Sequence, residues 1–339
     1  MLPSSDDIMP GCVLVPLDGS AFSARALPMA AALAAHRGAT LHLISVHVPL
    51  AVPLALPGAP VYDGRFDDAR RSALAGALER VAARLREECG LTATMEVLDG
   101  EPADVLAGEV ARREADLIVM TTHGRGGFAR AWLGSVADAL IRRASVPILL
   151  IRPTDADIAR VGNPVDPADM PVCPEAELYP FRRVLVPLDG SPLAEEIVGP
   201  ALELGVQGQT TYLLQRVVPV PQTMLPPEET FWTAREKAAQ QEARLEAEQY
   251  LGRWTARLRD DGYEAEAVVV DGHDPARAIL READARRVDL IALSTNAREG
   301  LARLRLGSVA DKLVRGASCP TLVAGPRGPL SGGAGEQHR

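Results

Sequence analysis

Residues 121–136, TTHGRGGFARAWLGSV, concentrate the side chains of this chain that could act on an anion. Gly124, Gly126, Gly127 and Gly134 let backbone approach a ligand closely or adopt a positive φ. Arg125 adds a planar fork of donors suited to phosphate oxygens. Ser135 follows Gly134 where a helix N-cap belongs, so its hydroxyl and the amides behind it can form an anion site. The helix dipole contributes only ~0.3–1 kcal/mol toward an anion, up to ~2 kcal/mol when partly buried, so several amides must act together. His123 has no carboxylate or nucleophile placed beside it by spacing, and no catalytic residue is assigned. Asp18, in VLVPLDGS, ends an apolar run and either shapes a strand-to-helix turn or faces a ligand. Lysine occurs only at Lys237 and Lys312, which excludes a lysine-bearing phosphate loop and Schiff-base chemistry from the first half.

These residues recur. LGSVADA at 133–139 returns as LGSVADK at 306–312, and VLVPLDGS at 13–20 returns at 184–191, so a whole domain is duplicated. In the first copy the apolar runs 13–17, 41–48, 93–98, 116–120 and 146–151 predict strands. Helices are predicted after Ser20, with Pro28 as a kink, over 66–88 with Leu74, Leu78, Val81 and Leu85 inward, over 102–113, and from GSVADAL. A proline-rich loop, 49–62, is read as either a lid or a packed interface. The second copy repeats the pattern at 184–188, 211–217, 265–270, 289–293 and 319–324, with a longer charged helix over 228–259. Alternating strands and helices with continuous apolar strands predict an α/β fold: two repeated open five-stranded parallel sheets, helices on both faces, Rossmann-like. The domains are placed at 10–153 and 182–326, with a linker at 154–181 and a disordered glycine-rich tail at 327–339.

In such a sheet ligands bind beyond the carboxyl ends of the strands, where strand order reverses. With strand one between strands two and four, the crevice is bordered by Asp18, by Val46 and by loop 121–135.

The net charge of −9 carries no long basic cluster, so nucleic acid and membrane insertion are not expected. Acids replace the basic residues of a signal peptide in MLPSSDDIMPGC, and a cytoplasmic location is expected. Cysteines 12, 89, 173 and 319 lack C-x-x-C spacing, so neither a disulfide scaffold nor a metal site is indicated.

The glycine loop, the VPLDGS opening and the proline-containing last strand together resemble the universal stress protein family, in both copies. ATP-binding members carry G-x2-G-x9-G-[ST] and an aspartate after the first strand. Here Gly124, nine intervening residues and Gly134-Ser135 match the latter part, while Thr121 replaces the first glycine. The resemblance implies an adenine-nucleotide α-hydrolase-like fold binding ATP, with or without Mg2+. Asp18 would bond the ribose or adenine, Val46 would lie against the base, and Gly124 and Arg125 would approach the phosphates. Gly134, Ser135 and Val136 would hold those phosphates through amides and a hydroxyl, with Pro16, Leu17, Thr121, His123 and Gly127 completing the set. It also implies that the last strands of the two copies pair antiparallel, making one chain an internal pseudo-dimer; further homo-oligomers stay open.

The second copy keeps Asp189, Gly307, Ser308 and Val309, but Ser294 and Ala297 replace both leading glycines. If the backbone at Ala297 requires a positive φ, its methyl costs roughly 1–2 kcal/mol, so a weakened or empty second site is expected. Three functions compete: a stress protein using ATP as a regulatory or structural ligand, a nucleotide-free scaffold of the same fold, and an ATP-hydrolysing enzyme. Hydrolysis is expected to be slow at most, since no base for water is evident.

Overall fold

Three consecutive residues of the first apolar run, Val13, Leu14 and Val15, are wholly buried, which requires helices over both faces of their strand. The computed structural model describes residues 11–49, 51–52, 61–62, 64–122, 133–152, 169–174, 179–220, 233–295 and 307–325. The first repeat contains β1 (Cys12–Pro16), α1 (Ala21–Ala24), α2 (Leu27–Arg37), β2 (Thr40–His47), β3 (Ala51–Val52), β4 (Val61–Tyr62) and α3 (Gly64–Cys89). It continues with β5 (Ala93–Asp99), α4 (Pro102–Arg112), β6 (Leu117–Thr121), α5 (Ser135–Arg143) and β7 (Ile148–Ile151). The second contains β8 (Arg183–Pro187), α6 (Pro192–Glu195), α7 (Val198–Leu204), β9 (Thr211–Pro219) and α8 (Ala234–Asp260). After these come β10 (Glu264–Gly272), α9 (Pro275–Ala285), β11 (Leu290–Ser294), α10 (Ser308–Gly316) and β12 (Thr321–Ala324).

The main sheet runs β10-β9-β8-β11-β12-β7-β6-β1-β2-β5. Neighbours within each repeat are parallel, and β1 and β8 sit centrally with strand order reversing beside them. The two halves join through an antiparallel pair, with Ile148, Leu149 and Leu150 of β7 opposite Val323, Leu322 and Thr321 of β12. The internal pairing implied by resemblance is therefore present, and ten strands form one sheet. Two apolar layers cover it, one under α2, α3, α7 and α8, the other under α4, α5, α9 and α10. Among the described residues, no helix is long and apolar enough to cross a membrane.

Several expectations change in detail. Pro28 does not kink one helix; the chain breaks after Ala24, and Pro28 lies in the first turn of α2, where its missing N–H is no loss. The long charged helix starts at Ala234 rather than 228, because Thr233 and Glu236 form a reciprocal capping box. The buried stripe Leu74, Leu78, Val81 and Leu85 of α3 is as expected. Within the proline-rich loop, β3 and β4 pair antiparallel.

The cysteine reading requires correction: Cys89, at the end of α3, is disulfide-bonded to Cys173. Sequence spacing could not show this, since 84 positions separate the pair and folding alone brings them together. The bond lies in the segment read as linker, and that segment packs: Met170, Val172 and Phe181 are buried in the first apolar layer, and the Arg84 guanidinium donates to the Met170 carbonyl at 2.7 Å. Cys12 and Cys319 are free and partly buried, and burial raises both thiol pKa values, that of Cys319 to about 12. Thiol titration of the unreduced, denatured chain should find only these two cysteines, and reduction should expose all four. Reduction should also lower unfolding free energy by about 2–4 kcal/mol in urea titrations. Four reactive thiols before reduction would contradict the bond.

Candidate functional site

The first crevice is organised by the turn after β1. Gly19 adopts φ 76°, and the Asp18 Oδ1 accepts from the Ser20 amide at 2.9 Å and from its hydroxyl at 2.5 Å. Ser20 caps α1 by accepting from the Ser23 amide, and the Ser23 hydroxyl accepts from the Asp18 amide. Asp18 thus shapes the turn, half-buried at the crevice edge. Pro16 ends the strand beside it and Leu17 is buried, its amide donating to the Ile44 carbonyl at 2.8 Å. The buried Ser45 hydroxyl donates to the Leu17 carbonyl at 2.6 Å, which holds Val46 beside this turn. His47, unassigned by sequence, is buried between the Asp99 and Asp67 carboxylates at 3.1 and 3.3 Å. Its sequence signal is a histidine at the carboxyl end of a strand, where the crevice opens.

On the opposite side of the crevice, Thr121 is buried at the end of β6, and the Gly134 amide donates to the Thr122 carbonyl at 2.6 Å. His123, Gly124, Arg125 and Gly127 lie outside the described residues, as does Ala297. The cap assignment of Ser135 is overturned: Gly134 is the N-cap, with φ −66° and ψ 152°, and makes no side-chain cap bond. Gly307 does the same before Ser308. Ser135 and Ser308 are the first helical residues and are exposed, so their hydroxyls do not perform the capping. A glycine cap leaves the first-turn amides without a side-chain acceptor, which suits an external anion better than the serine cap expected. Val136 and Val309 pack partly against the second apolar layer, so only their backbones can serve a phosphate.

The second crevice holds a cavity of about 480 Å³ at the carboxyl end of its sheet. Pro187, Leu188 and Asp189 line it from β8 and its turn, Gln215 to Pro219 from β9, Ser294 from β11, and Gly307, Ser308 and Val309 from the start of α10. Asp189 is exposed and its Oδ1 accepts from the Ser191 amide at 2.9 Å, as Asp18 does from Ser20. Arg216 stands over the Tyr250 ring at 5.2 Å. The volume is within the usual range for small-molecule sites.

A parallel sheet whose strand order reverses beside a central strand in each repeat, with an aspartate turn after that strand and a glycine-capped helix after its neighbour, defines a Rossmann-like α/β protein with a crevice in each repeat. The universal stress protein family model matches residues 9–152 and 180–325, and the chain belongs to that family with its domain in tandem. It is 28% identical over 316 residues to universal stress protein Rv2005c of Mycobacterium tuberculosis, covering 92% of this chain and 96% of that protein. A universal stress protein of Methanocaldococcus jannaschii, MJ0531, is 31% identical over 140 residues, 41% of this chain and 81% of its own. Among solved structures, a universal stress protein from Archaeoglobus fulgidus superposes with a TM-score of 0.63 at 18% identity, covering 94% of this chain and 98% of that one.

At the opposite, amino end of the first sheet, His42, Glu96 and Glu109 place ligand-type atoms within 4.8 Å of one another. Both carboxylates are already held by guanidiniums: Arg112 and Arg113 contact Glu96 and Glu109 at 2.5–3.2 Å. That charge balance favours an ion-pair network over a cation site. The His42 Nδ1 lies 2.6 Å from the Thr94 hydroxyl. Burial, then the charge of Arg113, pushes the His42 pKa down to about 4, with Glu96 and Glu109 opposing and Arg112 adding a smaller push in the same direction. The folded state therefore binds this proton less readily than the unfolded chain. Its stabilising preference for neutral His42 is complete above about pH 6.5 and is lost as pH falls toward 4. Replacing His42 by Leu should flatten that acid limb by on the order of 3 kcal/mol in urea unfolding between pH 7 and 4. An unchanged limb would refute the assignment.

Proposed function

We propose that this chain is a universal stress protein that binds ATP or another adenine nucleotide as a regulatory or structural ligand, chiefly in the first repeat. The observation that carries the reading is the glycine-capped start of α5, which follows β6, the strand paired beside β1 and its Asp18 turn. Phosphates would meet the amides of Ser135 and Val136, the Ser135 hydroxyl and the glycine loop from Gly124, while Asp18 and Val46 would flank the ribose and base. Mg2+, when present, would arrive on the phosphates. The protein acts in a stress response from the cytoplasm, and hydrolysis is slow at most. In the second repeat, Ala297 in place of Gly124 weakens the phosphate end. The scaffold reading is favoured by that same substitution, but only in one copy.

Denaturing the purified chain should release adenine nucleotide identifiable by mass spectrometry, and calorimetry should register added ATP. Gly124→Val should weaken ATP binding at least about tenfold by crowding the phosphates. A chain that releases no nucleotide and takes up no ATP supports the scaffold reading instead.

A further inference from the structure

The second crevice differs from the first at its deep end. Pro16 of β1 pairs in register with Ile44 of β2, and Pro187 of β8 pairs in register with Gln215 of β9. The main chains match as well, since the amides of Leu17 and Leu188 each donate at 2.8 Å to the carbonyls of Ile44 and Gln215. Only the side chains have diverged: a wholly buried isoleucine in one copy stands where the other has a primary amide, itself 1% exposed.

That amide lines the 480 Å³ cavity, and neither its Nε2 nor its Oε1 finds a hydrogen-bond partner among the described residues. The Ser294 hydroxyl, lining the same cavity, is also buried without one. An amide with both ends unpaired beside Ile279 and Leu293 works against folding, and isoleucine at the same register position shows that the strand does not need it. A ligand in the cavity would supply the missing partners.

A primary amide offers one donor and one acceptor side by side, the complement of a flat heterocycle carrying an amino group next to a ring nitrogen. The apolar walls suit such a ring, and Ser308 at the glycine-capped start of α10 suits one phosphate at the rim. We propose that the second crevice is a separate site for an adenine nucleoside or nucleoside monophosphate, with Gln215 as the residue that reads the base edge. This rests on the nucleotide reading of the crevices, but not on occupancy of the first. The base end gains a polar reader where the first crevice has Ile44, so selectivity shifts toward the base.

Calorimetry on the full chain should show adenosine and AMP binding more tightly than purine riboside, which lacks the amino group. Gln215→Met should weaken adenosine at least about tenfold, leave purine riboside within about twofold and raise the melting temperature, because a buried unpaired amide is removed. ATP uptake sensitive to Gly124→Val reports on the first crevice and should be unaffected by Gln215→Met, so the two readings fail separately. If Gln215→Met does not fold, photolabelling of the parent with 2-azidoadenosine 5′-monophosphate decides: label in the peptide carrying residues 211–219 supports the proposal. Equal adenosine binding by parent and variant, or label confined to the peptide carrying residues 40–47, overturns it.

Discussion

The antiparallel pairing of β7 with β12 is the interaction on which the arrangement of this molecule depends. Each repeat by itself would end in a short apolar strand with an unpaired edge, a template for association with other chains. Pairing the two edges satisfies both and makes the sheet continuous through ten strands. Because strands are parallel within each half and the halves meet antiparallel, the carboxyl ends of the two sheets point in opposite directions. The two crevices therefore open at opposite edges of one sheet and cannot share a ligand. Sites separated in this way are free to diverge, and their residues have done so.

The same construction sets a strict standard for polar side chains. Central strands covered on both faces admit apolar residues almost exclusively, so a polar group among them requires a partner or a purpose. Ser45 has a partner in the Leu17 carbonyl, which holds the strand ends together. His42 and His47 each have a partner at Nδ1, Thr94 and Asp99, and leave only Nε2 without a hydrogen bond, which for His47 still lies 3.3 Å from the Asp67 carboxylate. Gln215 has none among the described residues and faces a cavity. The contrast between these four residues, all on strands β2 and β9, separates structural polarity from polarity directed at a ligand.

Much of the crevice was legible in the sequence. The VPLDGS turn and the Gly-Ser helix start are local devices, in which short-range hydrogen bonding and φ requirements dictate the residue types. Even so, an aspartate after a strand suits either a turn or a ligand, and the structure realises the turn without removing Asp18 from the crevice edge. The cap falls on Gly134 rather than Ser135, because a serine before a periodic run reads as a cap while a glycine ahead of it can take the same extended backbone without a side chain. Gln215 is not legible as a site residue in the sequence, because one polar residue in an apolar run has the same appearance whether it faces solvent, a cavity or a helix.

What the sequence determined by itself was periodicity and duplication: ten strands in two sets of five, the helices between them, and the residue types at each turn. These depend on interactions a few positions apart, which a linear reading can reach. The tertiary structure alone decided which distant residues meet. It joined Cys89 to Cys173, packed Met170 and Val172 of the linker into the core, and brought Glu96, Glu109 and two arginines around His42. It also set Gln215 in a cavity rather than against solvent. Such contacts depend on strand register and on the angle at which helices cross the sheet, and neither is written in any short stretch of the chain.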